Sequence, residues 1–393
     1  MNQSTYGRDI LTLATIFLVG SLAVEMLSPI WPVYINLLGA SMTELGLVFS
    51  ISTAVGAMMQ IPSGLLSDRI GRKKLHLLGM LLAVFPPLMY ALANNWVELI
   101  PWAGLSGLAS GLFMPVRWAI VADVSSRKTM ASSFSWTNIA WLVGSTVAPF
   151  LGGIIADAAG VRCPFIIGFV LRLAVLPFAF LLQETGKKQP GEATKDEGFD
   201  VKGLGGYLST VVLVSLINVI QGVGMGVTAP VIPLFVMSEF HVDFTFIGVL
   251  YAIGFGAASI AVQIPGAKCS NVFDRRKVMF VTFVASSPFF LLFAYSRSPV
   301  ELIVFMFLSN AILNLHWSSY QTFLMDATPS SKWGFINGVS ATTFWIGVTF
   351  GNALSGILWD NWGALMPFYV SAVAVGFSAL PLFFLKETRV KPT

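Results

Sequence analysis

A 393-residue chain that is 55% hydrophobic and only 11% charged, with a mean hydropathy of +0.78, lacks the charged surface of a water-soluble globule, in which about a quarter of residues are charged. These figures exclude a soluble enzyme and a nucleic-acid binder, and they leave a polytopic membrane protein. The net charge of +4 then bears on topology rather than on an anionic partner.

In chain order, apolar runs long enough to cross a bilayer as helices occupy 10–38, 43–66, 75–93, 96–122, 130–156 and 163–182. A second set occupies 204–237, 244–266, 278–295, 300–325, 334–359 and 364–385. The fold class expected is therefore an all-α membrane protein of twelve spans. The first run is too long for the core of a cleavable signal peptide. Between spans 6 and 7 the segment ETGKKQPGEATKDEGFDVKG is polar and charged and reads as a linker. The expected units are 1–183, a six-helix bundle; 184–203, a cytoplasmic linker; and 204–393, a second six-helix bundle. Cys163 and Cys269 lie far apart in no metal-ligand spacing and read as small apolar fillers.

Sorting the basic residues orients the chain. With the N-terminus inside, nineteen of the 23 Lys and Arg fall on one side, among them Arg69, Arg72, Lys73, Lys74, Arg127, Lys128, Arg275, Arg276 and Lys277. Arg162 and Arg297 fall on the other side, and Arg117 and Arg172 lie within spans. This asymmetry places both termini and the linker in the cytoplasm, with the protein in the cell membrane.

The two halves repeat one another at an offset of 203 residues. Gln60-Ile61-Pro62 matches Gln263-Ile264-Pro265; Arg72 and Lys74 match Arg275 and Lys277; and Asp123 matches Asp326. Gly144, Gly153, Asp157 and Gly160 match Gly347, Gly356, Asp360 and Gly363, and Glu184-Thr185 matches Glu387-Thr388. At an offset of 201, Pro29 and Pro32 of span 1 match Pro230 and Pro233 of span 7. Six spans return the chain to its starting side, so the repeats are parallel and related by a pseudo-two-fold axis along the membrane normal, with a site between them near the midplane.

The segment Gly64-Leu-Leu-Ser-Asp68-Arg69-Ile-Gly71-Arg72-Lys73, placed between spans 2 and 3, resembles the signature of the major facilitator superfamily, and a degenerate copy follows span 8. The resemblance covers residues 10–388 and implies two bundles rocking about a central site. It assigns Gly64, Asp68, Arg69, Gly71, Arg72 and Asp123 to a gating network that latches the outward-facing state. Gly64 and Gly71 are expected to allow close approach and a tight turn, Asp68 to face a helix N-terminus, and Arg72 to bridge to Asp123. Arg275 to Lys277 in the degenerate copy read as topology charges. Gly144-x-x-x-Ala148-Pro149-x-x-Gly152-Gly153 in span 5 resembles the antiporter motif of the drug/proton antiporter branch, and it reads equally as a generic helix-packing motif. Against antiport, the segment around Ser106-Gly107 lacks the arginine that such exporters carry.

Eighteen of the nineteen carboxylates map to loops or helix ends, and Glu25 alone falls near mid-membrane. An acid there is retained for a partner, a proton or a cation. Ser21, Glu25 and Ser28 are expected to share one face. Arg172 is expected to turn inward, toward span 5 or span 1, and Arg117 to snorkel from the inner end of span 4 or to bind a substrate anion. Polar stripes add Ser135, Asn138, Trp141 and Ser145 in span 5, Asn218 and Gln221 in span 7, and Asn310, Asn314, Trp317 and Gln321 in span 10, with His316 and Tyr320 flanking the last. The cavity set expected for substrate or proton is Glu25, Ser28, Arg117, Asn138, Trp141, Asn218, Gln221, Asn314, Trp317 and Gln321.

No G-x-x-x-x-G-K-[ST] loop occurs, so ATP-driven transport by this chain is excluded. The sequence points to a secondary transporter rather than an enzyme, with no cofactor and no metal. Its expected partners are a small-molecule substrate, a coupled proton and the lipid bilayer, with no nucleic acid, and the chain is expected to act as a monomer. Proton-coupled export of a small amphipathic or cationic organic compound is the first reading. Uptake or facilitated diffusion of a sugar, amino acid or organic anion is the alternative, and a non-transporting receptor is an alternative of another class.

Overall fold

A computed structural model describes residues 3–126, 129–185, 207–328 and 333–385, so the linker and its boundaries lie outside the described residues. Span 1 is α1 (Gln3–Glu25) and α2 (Trp31–Leu37), and span 2 is α3 (Met42–Ile70). Span 3 is α4 (Arg72–Leu92), and span 4 is α5 (Leu99–Val124) behind a 3₁₀ turn, Trp96–Glu98. Spans 5 and 6 are α6 (Met130–Ala159) and α7 (Cys163–Leu181), and span 7 is α8 (Leu208–Thr228) and α9 (Ile232–Phe240). Span 8 is α10 (Phe244–Tyr251), a π-helical turn (Ala252–Ala257), α11 (Ala258–Ala261) and α12 (Gln263–Val272). Span 9 is α13 (Arg275–Ala294), and span 10 is α14 (Pro299–Asn314) and α15 (His316–Ala327). Span 11 is α16 (Trp333–Trp362), and span 12 is α17 (Met366–Phe377), closed by a 3₁₀ turn, Leu380–Phe384.

Eleven of these spans are long and apolar enough to cross a membrane. The twelfth crossing is α16, a 30-residue helix whose apolar run is diluted by residues such as Asn337, Thr342, Thr343 and Asn352. No strand occurs among the described residues. This is a multi-pass, all-α membrane protein, as the apolar runs require, since only a helix satisfies its own backbone in lipid.

The packing repeats with the sequence. In the first half span 1 packs on spans 5 and 6, span 4 on spans 2 and 3, and span 3 on span 6. In the second half span 7 packs on spans 11 and 12, span 10 on spans 8 and 9, and span 9 on span 12. Each half has its own buried clusters, such as Phe17, Leu75 and Ile120 in the first and Phe283, Phe323 and Val375 in the second. The halves meet through a symmetric pair of contacts, span 2 on span 11 and span 8 on span 5.

Two features depart from the sequence expectation. Spans 1 and 7 are broken rather than continuous, at 26–30 and 229–231, where Pro29, Pro32, Pro230 and Pro233 withdraw backbone donors. The signature segment is also hardly a loop. Helix α3 runs to Ile70, α4 starts at Arg72, and Gly71 alone, at φ 102°, makes the turn, a conformation that favours glycine. Gly64 lies within the helix, and a side chain there would meet nothing, so no close approach needs it.

Candidate functional site

The bundle has a basic end, bearing Arg69, Arg72, Lys73 and Arg275, and an opposite end, bearing the turns around Gly39, Gly160, His241 and Gly363. Between described residues, the hydrogen bonds that join the two halves cluster toward the opposite end. Asp157, at the end of span 5, accepts from the backbone N–H groups of Phe244 (3.2 Å) and Thr245 (2.7 Å) and from the Thr245 hydroxyl (2.6 Å) at the start of span 8. Its repeat mate Asp360, at the end of span 11, accepts from the Thr43 N–H (2.8 Å) and hydroxyl (2.7 Å) at the start of span 2. Each receiving helix also has a cap of its own. Ser41 accepts from Glu44 N–H and Asp243 from Phe246 N–H, so the carboxylate from the other half takes N–H groups the local cap leaves free.

Further toward the midplane, Ser50 donates to Thr349 O (3.0 Å), and Thr349 and Asn352 donate to Thr53. Glycines let the helices come this close. A Cβ on Gly153 would run into the backbone of Phe244, and one on Gly356 into the backbone of Met42. The span 5 motif thus works on two faces. Gly144 and Gly152 pack against Ser21 and Met26 of span 1, while Gly153 and Pro149 meet Phe244 and Gly248 of span 8.

Glu25 is the last residue of α1, at the break in span 1. Ser28 lies beyond the break, yet its hydroxyl stays with Glu25, donating to Glu25 O (2.9 Å) and within reach of its side chain, while Ser21 is buried against Gly144. Glu25 has no ion pair among the described residues, and its charge reaches Tyr251 of span 8 in the other half. Asp9, near the start of α1, is 1% exposed, with both carboxylate oxygens free of hydrogen bonds and Arg8 at 3.8 Å.

Arg117 does not snorkel. It is 7% exposed, with its Cζ 4.6 Å from the ring centre of Phe17, 4.4 Å from Trp141 and 5.3 Å from Trp118. Arg172 turns inward, but toward span 3: its Nη1 donates to Ala83 O (2.6 Å), and Tyr90 lies within reach of its charge. In the second half Asn218 donates to Tyr320 (2.7 Å) and to the Ser340 hydroxyl (2.8 Å), and Tyr320 and Ser340 are hydrogen-bonded to each other. Tyr320, read from sequence as flanking the span 10 stripe, is the hub of this set with Asn218 and Ser340. Asn310 and Asn314 instead donate to their own helix, at Met306 O and Asn310 O, and Gln221 reaches Ser378 at 3.5 Å. Trp317 is 54% exposed, and Asn138 and Gln321 are half-buried.

At the basic end Arg72 donates to Asp123 (2.6 Å) and lies 3.4 Å from Asp68, while Arg69 is exposed. Glu184 accepts from Lys73 N–H (3.0 Å), and Thr185 O accepts from Arg72 N–H (3.1 Å). The degenerate copy keeps the pair: Arg275 is bonded to Asp326, so Arg275 has a partner beyond any topological role. Its repeat register, Arg72 with Asp123 against Arg275 with Asp326, is the signal that locates it. Glu387 and Thr388 lie outside the described residues.

The model of the Major Facilitator Superfamily matches residues 13–219 and 214–393 of the chain. The chain belongs to the Major Facilitator Superfamily. Its relatives within the superfamily include Multidrug resistance protein 2 of Bacillus subtilis, 26% identical over 94% of both chains, and the multi-drug resistance efflux pump PmrA of Streptococcus pneumoniae, 23% identical over 93% of this chain and 92% of the relative. Among solved structures of superfamily fold, a D-xylose–proton symporter superposes with a TM-score of 0.80 at 14% identity over 99% of both chains. Members of this superfamily are carriers rather than enzymes, and this chain is a transporter of that kind.

Proposed function

We propose that this transporter exports a small amphipathic organic compound in exchange for protons, by alternating access across the cell membrane. The basic end is the cytoplasmic one, by the distribution of Lys and Arg, with both termini on that side. The halves are joined at the external end, so the conformation opens inward. The observation that carries the reading is Glu25, an acid at the break of span 1 with no ion pair among the described residues, whose charge reaches Tyr251 across the inter-half seam. A group so placed can exchange its proton with whichever side the cavity faces. Full-length relatives named for multidrug resistance support export of an amphipathic compound.

In this reading Ser28, Asn138, Trp141, Asn314, Trp317 and Gln321 offer polar and aromatic surface to the substrate. Asn218 and Gln221 stiffen the second bundle, and Gly64, Asp68, Arg69, Gly71, Arg72 and Asp123 form the gating network of the cytoplasmic end. The test uses the full-length protein in liposomes with an imposed pH gradient and ethidium as probe. Ethidium, or 1-naphthoate where the cation is not carried, is expected to move against the proton flow in wild type, and Glu25→Gln is expected to abolish the gradient-driven component. Proton and probe moving in the same direction, or a Glu25→Gln variant with the wild-type rate and pH dependence, overturns the proposal.

A further inference from the structure

Arg117 is a cation in the interior of the first bundle with no carboxylate partner among the described residues, and its Nε is enclosed with no hydrogen-bond acceptor. The acids of span 1 are out of reach. Asp9 and Glu25 each stand eight residues from Phe17, roughly 12 Å along a helix. Phe17, Trp118 and Trp141 lie around the guanidinium at ring-centre distances of 4.4–5.3 Å. Such contacts hold the cation in place and leave unmet the planar fork of N–H donors that binds a carboxylate bidentately. His76 of span 3 lies within reach of this charge, and its ring nitrogens are enclosed with no hydrogen bond of ordinary geometry.

The second half supplies an internal control. At the repeat offset of 203, Arg117 corresponds to Tyr320 and Thr137 to Ser340, and at 201 Phe17 corresponds to Asn218. In the second half these three residues form a closed hydrogen-bonded set. In the first half the position of Asn218 is a phenyl ring, and the Thr137 hydroxyl is spent on Ser133 O (2.9 Å). The first half lacks these partners at the position where it carries a charge. A purely structural arginine would need the acceptors that the second half retains, since buried polar groups are as a rule paired.

We infer that Arg117 receives the anionic group of the transported molecule, and that the substrate is an amphipathic organic anion, a carboxylate on a flat apolar body. The body lies against the half-buried Trp141 and its neighbouring rings, and the carboxylate completes the guanidinium edge. This assignment rests on the transport reading above and names the substrate class of the same cavity.

The test compares 1-naphthoate with its neutral near-isostere 1-naphthamide, by calorimetric titration of the purified full-length protein. Wild type is expected to bind the carboxylate at least tenfold more tightly. Arg117→Met is expected to erase that preference, and Arg117→Lys, a point charge without the fork, to restore part of it. Equal binding of the two probes by wild type overturns the inference and needs no variant, so a misfolded Arg117→Met cannot shelter it. A monodisperse Arg117→Met that keeps the tenfold preference overturns it as well. Ethidium export without any naphthoate preference sinks this inference and leaves the transport reading standing. Loss of gradient-driven flux for both probes sinks the transport reading itself.

Discussion

Removing the two inter-half carboxylates at the end proposed to be external, Asp157→Ala with Asp360→Ala, is expected to release the conformation proposed to open inward. The pair accepts five hydrogen bonds from the first turns of spans 8 and 2, at 2.6–3.2 Å. A helix cap contributes about 1 kcal/mol, with a range of roughly 0.5–2. A carboxylate at a helix N-terminus adds about 0.3–1 kcal/mol through the dipole. Each residue then contributes about 1–2 kcal/mol, and the two together about 2–4, because they act on separate interfaces. All of it belongs to the conformation in which the external ends touch. At 1.4 kcal/mol per tenfold, the inward-to-outward ratio should fall by about 30- to 700-fold. Spin labels at Asn94 and Arg297, both exposed at that end in opposite halves, report the change by pulsed electron resonance once Cys163 and Cys269 are replaced. Wild type should give one short external distance and the double variant a dominant longer one. An unchanged distance distribution in the double variant would refute the reasoning.

A bulky side chain at the glycine contact should act in the same direction. Gly356→Val pushes against the Met42 backbone and should lengthen the same label distance, while Gly338→Val, where a side chain meets nothing, should not. At the basic end, Gly71→Ala places an L side chain at φ 102° against the Glu184 carboxylate. It should cost about 1–3 kcal/mol, seen as earlier thermal unfolding in detergent. Asp68→Asn should uncouple transport while leaving the unfolding temperature near wild type, and wild-type flux from that variant counts against a gating role. Tyr320→Phe leaves Asn218 and Ser340 to each other and should cost about 1 kcal/mol of stability, which the same melts will show.

The spans were legible because each must bury its backbone in lipid, which forces a long apolar run wherever a helix crosses. The breaks were less so. Proline pairs marked spans 1 and 7, but proline is tolerated within membrane helices, and only the structure places the interruptions after Glu25 and Thr228. Arg117 and Arg172 announced themselves as intramembrane charges, whereas their surroundings, three rings in one case and a carbonyl of span 3 in the other, come from distant parts of the chain. Asp157 and Asp360 stood out as repeat matches, but their partners lie in the opposite half, which no local pattern records. Asp9 lies near the start of α1, as its place in the sequence requires, but that position says nothing about what packs over it.

The π-helical turn at Ala252–Ala257 has a genealogical consequence. Ser41, Thr43 and Gly46 match Asp243, Thr245 and Gly248 at a spacing of 202 residues, whereas Gln60-Ile61-Pro62 matches Gln263-Ile264-Pro265 at 203. Span 8 has therefore gained one residue over span 2 between these landmarks, and the widened turn lies in that interval. A π turn is how a helix absorbs a single extra residue without unravelling. Because the widened turn takes up the added residue locally, the stretch of span 8 beyond it keeps nearly the angular register of its sister, instead of turning by about 100°, which one extra residue adds to an unbroken α-helix. The extra residue is thus confined to a single turn, and the matched contacts of the two sister helices stay in register on either side of it.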